Sequence, residues 1–262
     1  MTLLRLCLTL VLALLLASCA RRTTDIGQPL IVQTGSTAAT TCQPQATPGK
    51  QTGAVNSLST AARQRISGTK PLIIIDAGHG GKDLGAVSLT KPIYQEKNLN
   101  LATARLLEGF LKNQGYRTIM TRSDDTFLTL EERANLAKAK KGQLFVSVHY
   151  NSAPSQKAEG IEVFYYNSDK EKGRTKDSQA MAQAVLDKVI AATSAASRGV
   201  KHGNYSVIRN TTMPAILIEG GFMTNEKEME RLKDPIYLKK LALGIAQGID
   251  QYLQNKVKAN NP

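Results

Sequence analysis

The chain has 262 residues, with 34 Lys and Arg against 21 Asp and Glu, a formal net charge of +13 and no tryptophan. Such basicity favours a polyanionic partner, yet no basic-aromatic nucleic-acid motif accompanies it, so nucleic acid is excluded from the expected partners. Three cysteines make no disulfide framework, so the folded part must rest on a hydrophobic core.

Residues 1–18 read as an export signal. Arg5 supplies a positive start, and the apolar run over 6–16 is well short of the roughly 20 residues that span a bilayer. Leu16-Ala17-Ser18-Cys19 resembles the lipobox of bacterial lipoproteins, in which cleavage falls before the cysteine and its thiol is lipidated. Several acyl chains on Cys19 would anchor the protein stably to a membrane. Residues 20–69 are rich in Thr, Ser, Gln, Ala, Gly and Pro and show no sustained apolar period, the composition of a flexible tether. Its root-mean-square reach is roughly 35 to 42 Å. Cys7 leaves with the signal, and Cys42 has no evident partner. The expected organisation is a signal peptide over 1–18, a lipidated tether over 19–69 and a folded domain over 70–262, exported to the bacterial cell envelope.

At 72–75, four β-favouring apolar residues run into Asp76 and then Ala77-Gly78-His79-Gly80-Gly81, a buried strand closing in a glycine-rich loop. In an open parallel sheet that end of the strand is where ligands bind. The segment lacks the glycine spacing and the Ser/Thr of a phosphate-binding loop. A helix is predicted over 97–114, with Leu99, Ala102, Leu106 and Phe110 on one face and Gly115 as its stop. A strand follows at 116–121. Thr129 with Glu132 forms a capping box that opens a helix to about residue 141. The strand at 144–148 leads into His149, and another strand is predicted at 161–166. A helix over 178–192 carries Met181, Val185 and Val189 on one face. The apolar run at 215–218 enters Glu219-Gly220-Gly221, and Asn225 with Glu228 marks a further capped helix. The last helix, 236–254, presents Leu238, Leu241, Ile245 and Ile249 to the core. Alternating strands and helices predict an α/β fold: one open, mainly parallel sheet flanked by helices, forming a single catalytic domain.

His79, His149 and Glu219 are thus expected in turns at the carboxyl ends of three strands, with Glu96 just ahead of the first helix. The chain has only three histidines, and two of them fall at equivalent strand ends. Two imidazoles and one carboxylate suit a single zinc ion with its fourth position open. The second carboxylate then suits general acid/base work. Spacing alone leaves open which glutamate does which. A serine or cysteine nucleophile fits less well, since no G-x-S-x-G elbow is present and Cys42 lies in the tether. The third histidine, His202, reads as a surface loop residue, and Arg209 reads equally as a contact for a substrate carboxylate or as a surface residue.

The segments IIIDAGHGGKDLGAV, QEKNLNLA, TRSDDTFLTLEERANLAKAKKGQLFVSVHYNS, RGVKHGNYSVIRNTTMPAILIEGGFMTNEKE and IAQGIDQYL occur in the order of the zinc-dependent N-acetylmuramoyl-L-alanine amidases, which the chain resembles over 71–253. The resemblance implies that His79, Glu96 and His149 bind zinc and that Glu219 is the catalytic glutamate. It implies hydrolysis of the amide between N-acetylmuramic acid and L-alanine, with peptidoglycan as substrate. Two departures stand out. Ala77 replaces a common proline, a mild change in a loop. Only a short loop, 150–160, follows the second histidine, where some septal relatives carry a long blocking helix; the expectation is that no activator protein is needed. Two alternatives remain at this level, a zinc peptidase of stem peptides and an inactive wall-binding lipoprotein.

Overall fold

The computed structural model describes residues 70–261, so the signal, Cys19 and the tether lie outside the described residues. The elements are β1 (Leu72–Ala77), α1 (Glu96–Asn113), β2 (Arg117–Met120), α2 (Leu130–Ala139), β3 (Leu144–Asn151), β4 (Ile161–Tyr165), α3 (Lys172–Thr193), β5 (Ser197–His202), α4 (Ser206–Arg209), β6 (Ala215–Phe222), α5 (Glu226–Leu232) and α6 (Pro235–Asn260). They form one six-stranded sheet of order β2-β1-β3-β6-β4-β5. All neighbours pair in parallel except β4 with β6, which is antiparallel. The expected open, mainly parallel α/β sheet is what the chain builds. Among the described residues no helix is long and apolar enough to cross a membrane.

Alternation along the central strands divides their side chains between two layers. One face sends Ile73, Ile75, Val146, Val148, Ile216 and Ile218 against α1, α3 and α6, where Leu107, Leu111, Met181, Val185, Leu241 and Ile245 complete a core with 0–1 % exposure. Each such side chain contributes roughly 1.5 to 3 kcal/mol by leaving water. The other face carries Ile74, Phe145, Phe164 and Leu217 against Ala137 of α2 and Val207 and Ile208 of α4. Those two helices are short, ten and four residues, and beyond this apolar layer the same face continues to the carboxyl ends of the central strands. The polar residues Asp76, Ser147, His149, Glu219 and Glu162 follow there, on the same face by alternation.

Several local expectations hold. Thr129 and Glu132 form the reciprocal capping box at α2. Asn225 caps α5 through the Glu228 amide. The stripes of α3 and α6 are buried as expected. Others are corrected. The buried face of α1 is Leu99, Thr103, Ala104, Leu107 and Leu111, while Ala102 is exposed and Leu106 and Phe110 are only half-buried. The helix packs against both the sheet and α6, which rotates its core-facing arc. α3 begins six residues before the predicted start, and β5 and α4 have no predicted counterpart. Gly244 and Gly248 of α6 have no side chain to hold α3 away: a Cβ on Gly248 would stand 2.4 Å from Val185 Cα.

Candidate metal centre

His79 follows β1 in a backbone conformation that side chains rarely adopt, with φ of 59°. Two buried arginines hold that loop. Arg133 of α2 donates to Asp76 Oδ1 (2.8 Å), Ala77 O (2.7 Å) and His79 O (2.7 Å). Arg122, just past β2, donates to Ala77 O, Gly78 O and Lys97 O, each at 2.8 Å. The same guanidinium therefore ties the loop to the first turn of α1, where Glu96 is the first helical residue. Side chains would not fit between these parts. A Cβ on Gly78 would lie 2.1 Å from the His149 ring, and one on Gly85 would lie 2.5 Å from Glu96 Oε2 and 2.6 Å from His79 Cδ2.

His79, Glu96 and His149 each bring a donor atom within 4.8 Å of the others. His79 Nε2 is 3.1 Å from Glu96 Oε2, and His149 Nδ1 is 2.8 Å from Glu96 Oε1. Two of the three donors, His79 and Glu96, are oriented from behind. Asp83 Oδ2 bonds His79 Nδ1 at 2.8 Å, which leaves Nε2 to face the cluster. Glu96 accepts from the amides of Ala86 (2.8 Å) and Tyr150 (3.2 Å) and from Asn100 Nδ2 (3.2 Å). Burial opposes ionisation of Glu96, but the neighbouring His149 and His79 outweigh it and hold the carboxyl far below its usual range. A His₂Glu donor set converging on one point, with carboxylate support behind an imidazole, fits a zinc ion.

The structure corrects the expected turns. His149 lies within β3, and Glu219 lies within β6, which runs on through both glycines to Phe222. Gly220 is needed there for packing, since a Cβ would meet the Tyr150 ring at 2.7 Å. His149 and Glu219 are register partners across β3 and β6, so both side chains rise from the same face. Glu219 is 9 % exposed, and its Oε2 has no hydrogen-bond partner among the described residues. Burial, reinforced by the charges of Glu96 and Glu162, pushes its carboxyl well above the usual value. An unpartnered, proton-avid carboxylate beside the His–Glu–His cluster is chemically poised to take a proton. A cleft of about 290 Å³ opens beside the two histidines, lined also by Phe127, Leu130, Arg133 and Val207.

His202 and Arg209 stand apart from this cluster. His202 closes β5 and accepts from the Asn167 amide through Nδ1 (3.1 Å), and Arg209 of α4 bonds Asn204 Oδ1 (2.7 Å). Sequence reasoning missed Asp83, Asp76, Arg122 and Arg133. The i, i+4 spacing of His79 and Asp83 was the one available signal.

The model of the N-acetylmuramoyl-L-alanine amidase family matches residues 73–251. The chain belongs to that family. It is 39 % identical over 180 residues to an uncharacterized protein, YqiI, of Bacillus subtilis, covering 69 % of this chain and 84 % of that one. It is 35 % identical over 181 residues to the probable cell wall amidase LytH of Staphylococcus aureus, covering 69 % of this chain but only 57 % of that protein. Among solved structures it resembles the catalytic domain of CwlV, an N-acetylmuramoyl-L-alanine amidase from Bacillus (Paenibacillus) polymyxa. That match has a TM-score of 0.65 and 41 % identity, over 70 % of this chain and 98 % of the other. It also resembles the CwlD amidase of Clostridioides difficile, solved in complex with the GerS lipoprotein, with a TM-score of 0.66 and 30 % identity over 71 % and 100 % of the chains. This family's fold therefore covers the whole six-stranded sheet described above.

Proposed function

We propose that this protein is a zinc-dependent cell-wall amidase that hydrolyses the amide between N-acetylmuramic acid and the L-alanine of the stem peptide. The observation that carries the reading is the convergence of His79, Glu96 and His149 beside the unpartnered carboxylate of Glu219, in a chain of this family.

His79, Glu96 and His149 would hold the metal. Zinc bound there supplies Lewis acidity, which acidifies water and polarises a carbonyl oxygen. Asp83 keeps the proton of His79 on Nδ1 and so keeps Nε2 free. Arg122 and Arg133 fix the loop that carries His79 against the helix that carries Glu96. Glu219 takes the proton from the attacking water on its free oxygen and returns it to the departing alanine nitrogen. The amide is thereby cleaved with one water consumed and an amine released.

The same reading sets the protein in the cell envelope, held to a membrane through lipid on Cys19. It also includes activity without a partner protein: among the described residues, only residues 152–160 connect β3 to β4, and they contain no helix. A relative solved with a lipoprotein partner makes that point worth testing directly. Purified full-length protein, loaded with zinc, is incubated with peptidoglycan and the products are read by mass spectrometry. Release of intact stem peptides is expected; it should stop on chelation and return with zinc. Release of D-alanine alone would replace the amidase reading with the peptidase one. Inert protein that responds only to an added partner would end the claim of independence.

A further inference from the structure

Glu162 of β4 is a register partner of Glu219 of β6, which is itself paired with His149 of β3. Residues paired in this way rise from one face of a sheet. The metal-binding cluster, Glu219 and Glu162 therefore form a row across the strands, and β5 lies next along it. At that edge, Glu162 is only 4 % exposed. Its Oε1 accepts from Asn151 Nδ2 at 2.7 Å, and its Oε2 accepts from Arg198 Nε at 2.9 Å and Lys201 Nζ at 2.5 Å.

One cation would neutralise Glu162; two leave an excess positive charge. Glu162 engages one nitrogen of each side chain, and among the described residues Arg198 Nη1 reaches only the Glu159 carbonyl, at 3.3 Å. Five N–H groups on a guanidinium and three on an ammonium exceed what these acceptors use. Both side chains stay open to solvent, Arg198 at 36 % and Lys201 at 40 %. They are also held in place: the Arg198 guanidinium lies over the Phe222 ring at 4.9 Å, and the Glu162 contacts fix both heads. Tyr205 packs edge-on against Phe164 of β4, with ring centroids 5.0 Å apart.

We propose that Arg198 and Lys201 form a carboxylate subsite for the peptide portion of the substrate, an inference that rests on the amidase reading. The acetylated sugars of such a substrate are neutral, so an anion met beyond Glu219 belongs to its peptide. β5 is two strand spacings from β6, about 10 Å, which an extended peptide covers in about three residues. The recognised group is therefore a free carboxylate two or three residues from the cleaved amide. A fixed guanidinium beside an ammonium suits that group.

The test uses zinc-loaded full-length protein and soluble muropeptides that differ only in a free carboxylate or a carboxamide at the second or third peptide residue. The wild type should favour a free carboxylate at one of these positions by about tenfold or more in kcat/KM, the scale of a hydrogen bond to a charged group. In the Arg198→Gln/Lys201→Gln double variant that ratio should fall towards one, and Arg198→Lys should retain part of it. A purely structural pair would lower activity on both substrates and leave the ratio intact, which would overturn the subsite. Equal kcat/KM values in the wild type would overturn it as well. If neither substrate is cleaved, the amidase reading fails, and equilibrium binding of the same ligands then decides the subsite. Tighter binding of the free carboxylate supports it, and equal Kd values overturn it.

Discussion

The Glu219 side chain is shaped by what it lacks. One oxygen is buried without a partner, between the charges of Glu96 and Glu162, in a sheet where nearby carboxylates are satisfied several times over. A purely structural residue in that position would be a defect, whereas a group that exchanges a proton with substrate needs an open site. Glu219→Gln keeps the volume and removes the basicity. We expect the variant to retain its zinc by elemental analysis while turnover falls by roughly 10²-fold or more. Turnover within a few-fold of the wild type would remove Glu219 from the chemistry, and loss of zinc would make it a metal-binding residue instead.

At the scale of elements, the connection between β1 and α2 sets how firmly the His79 loop is held. Asp76 is fully buried, which works against its charge, yet the Arg133 charge and hydrogen bonds from Arg133, Ser147 and Thr121 hold its carboxyl below the ordinary value. A lowered folded-state value means stability that is present above the unfolded pKa, about 3.9, and lost as the pH falls through the folded one. Asp76→Asn strands a buried guanidinium, a loss of about 3 to 5 kcal/mol. In urea unfolding, the gap between wild type and variant should be widest near neutrality and should narrow below about pH 4. A gap of constant size between pH 7 and 3 would show that the ion pair is not its source. The elements themselves were legible wherever burial writes a periodic pattern: the central strands, the capping box at Thr129, and the stripes of α3 and α6. β5 was not, because Ser-Arg-Gly-Val-Lys-His is an edge strand with one apolar residue and so shows no alternation. α4 is a single turn, too short for a helical period. β3 and β6 run past their apolar stretches because polar side chains facing a cleft look like turn residues in a sequence. The four candidate positions stand out in the sequence because each interrupts an apolar pattern or opens an element. Their supports do not, since Arg122 and Arg133 act on backbone carbonyls far away in the chain, which no spacing records.

For the whole molecule, the proposal that matters most lies outside the described residues: lipid on Cys19, motivated by Leu16-Ala17-Ser18-Cys19. Cells given a fatty-acid probe should label the wild type and not the Cys19→Ser variant, and equal labelling of both would end the idea. If the anchor is real, the direction of β1 acquires a mechanical meaning. The chain enters the domain at Lys70, beside the amino end of β1, while His79 lies just beyond its carboxyl end, some 20 Å further along a six-residue strand. Tension between a membrane behind Lys70 and a wall polymer held at the cleft would then run along the strand axis. β1 is flanked on both sides by parallel partners, β2 and β3. Such a pull loads their hydrogen bonds in shear, all at once, instead of peeling them apart singly. The part of the fold that takes the strain would then be β1 with its neighbours β2 and β3, close to one edge of the sheet.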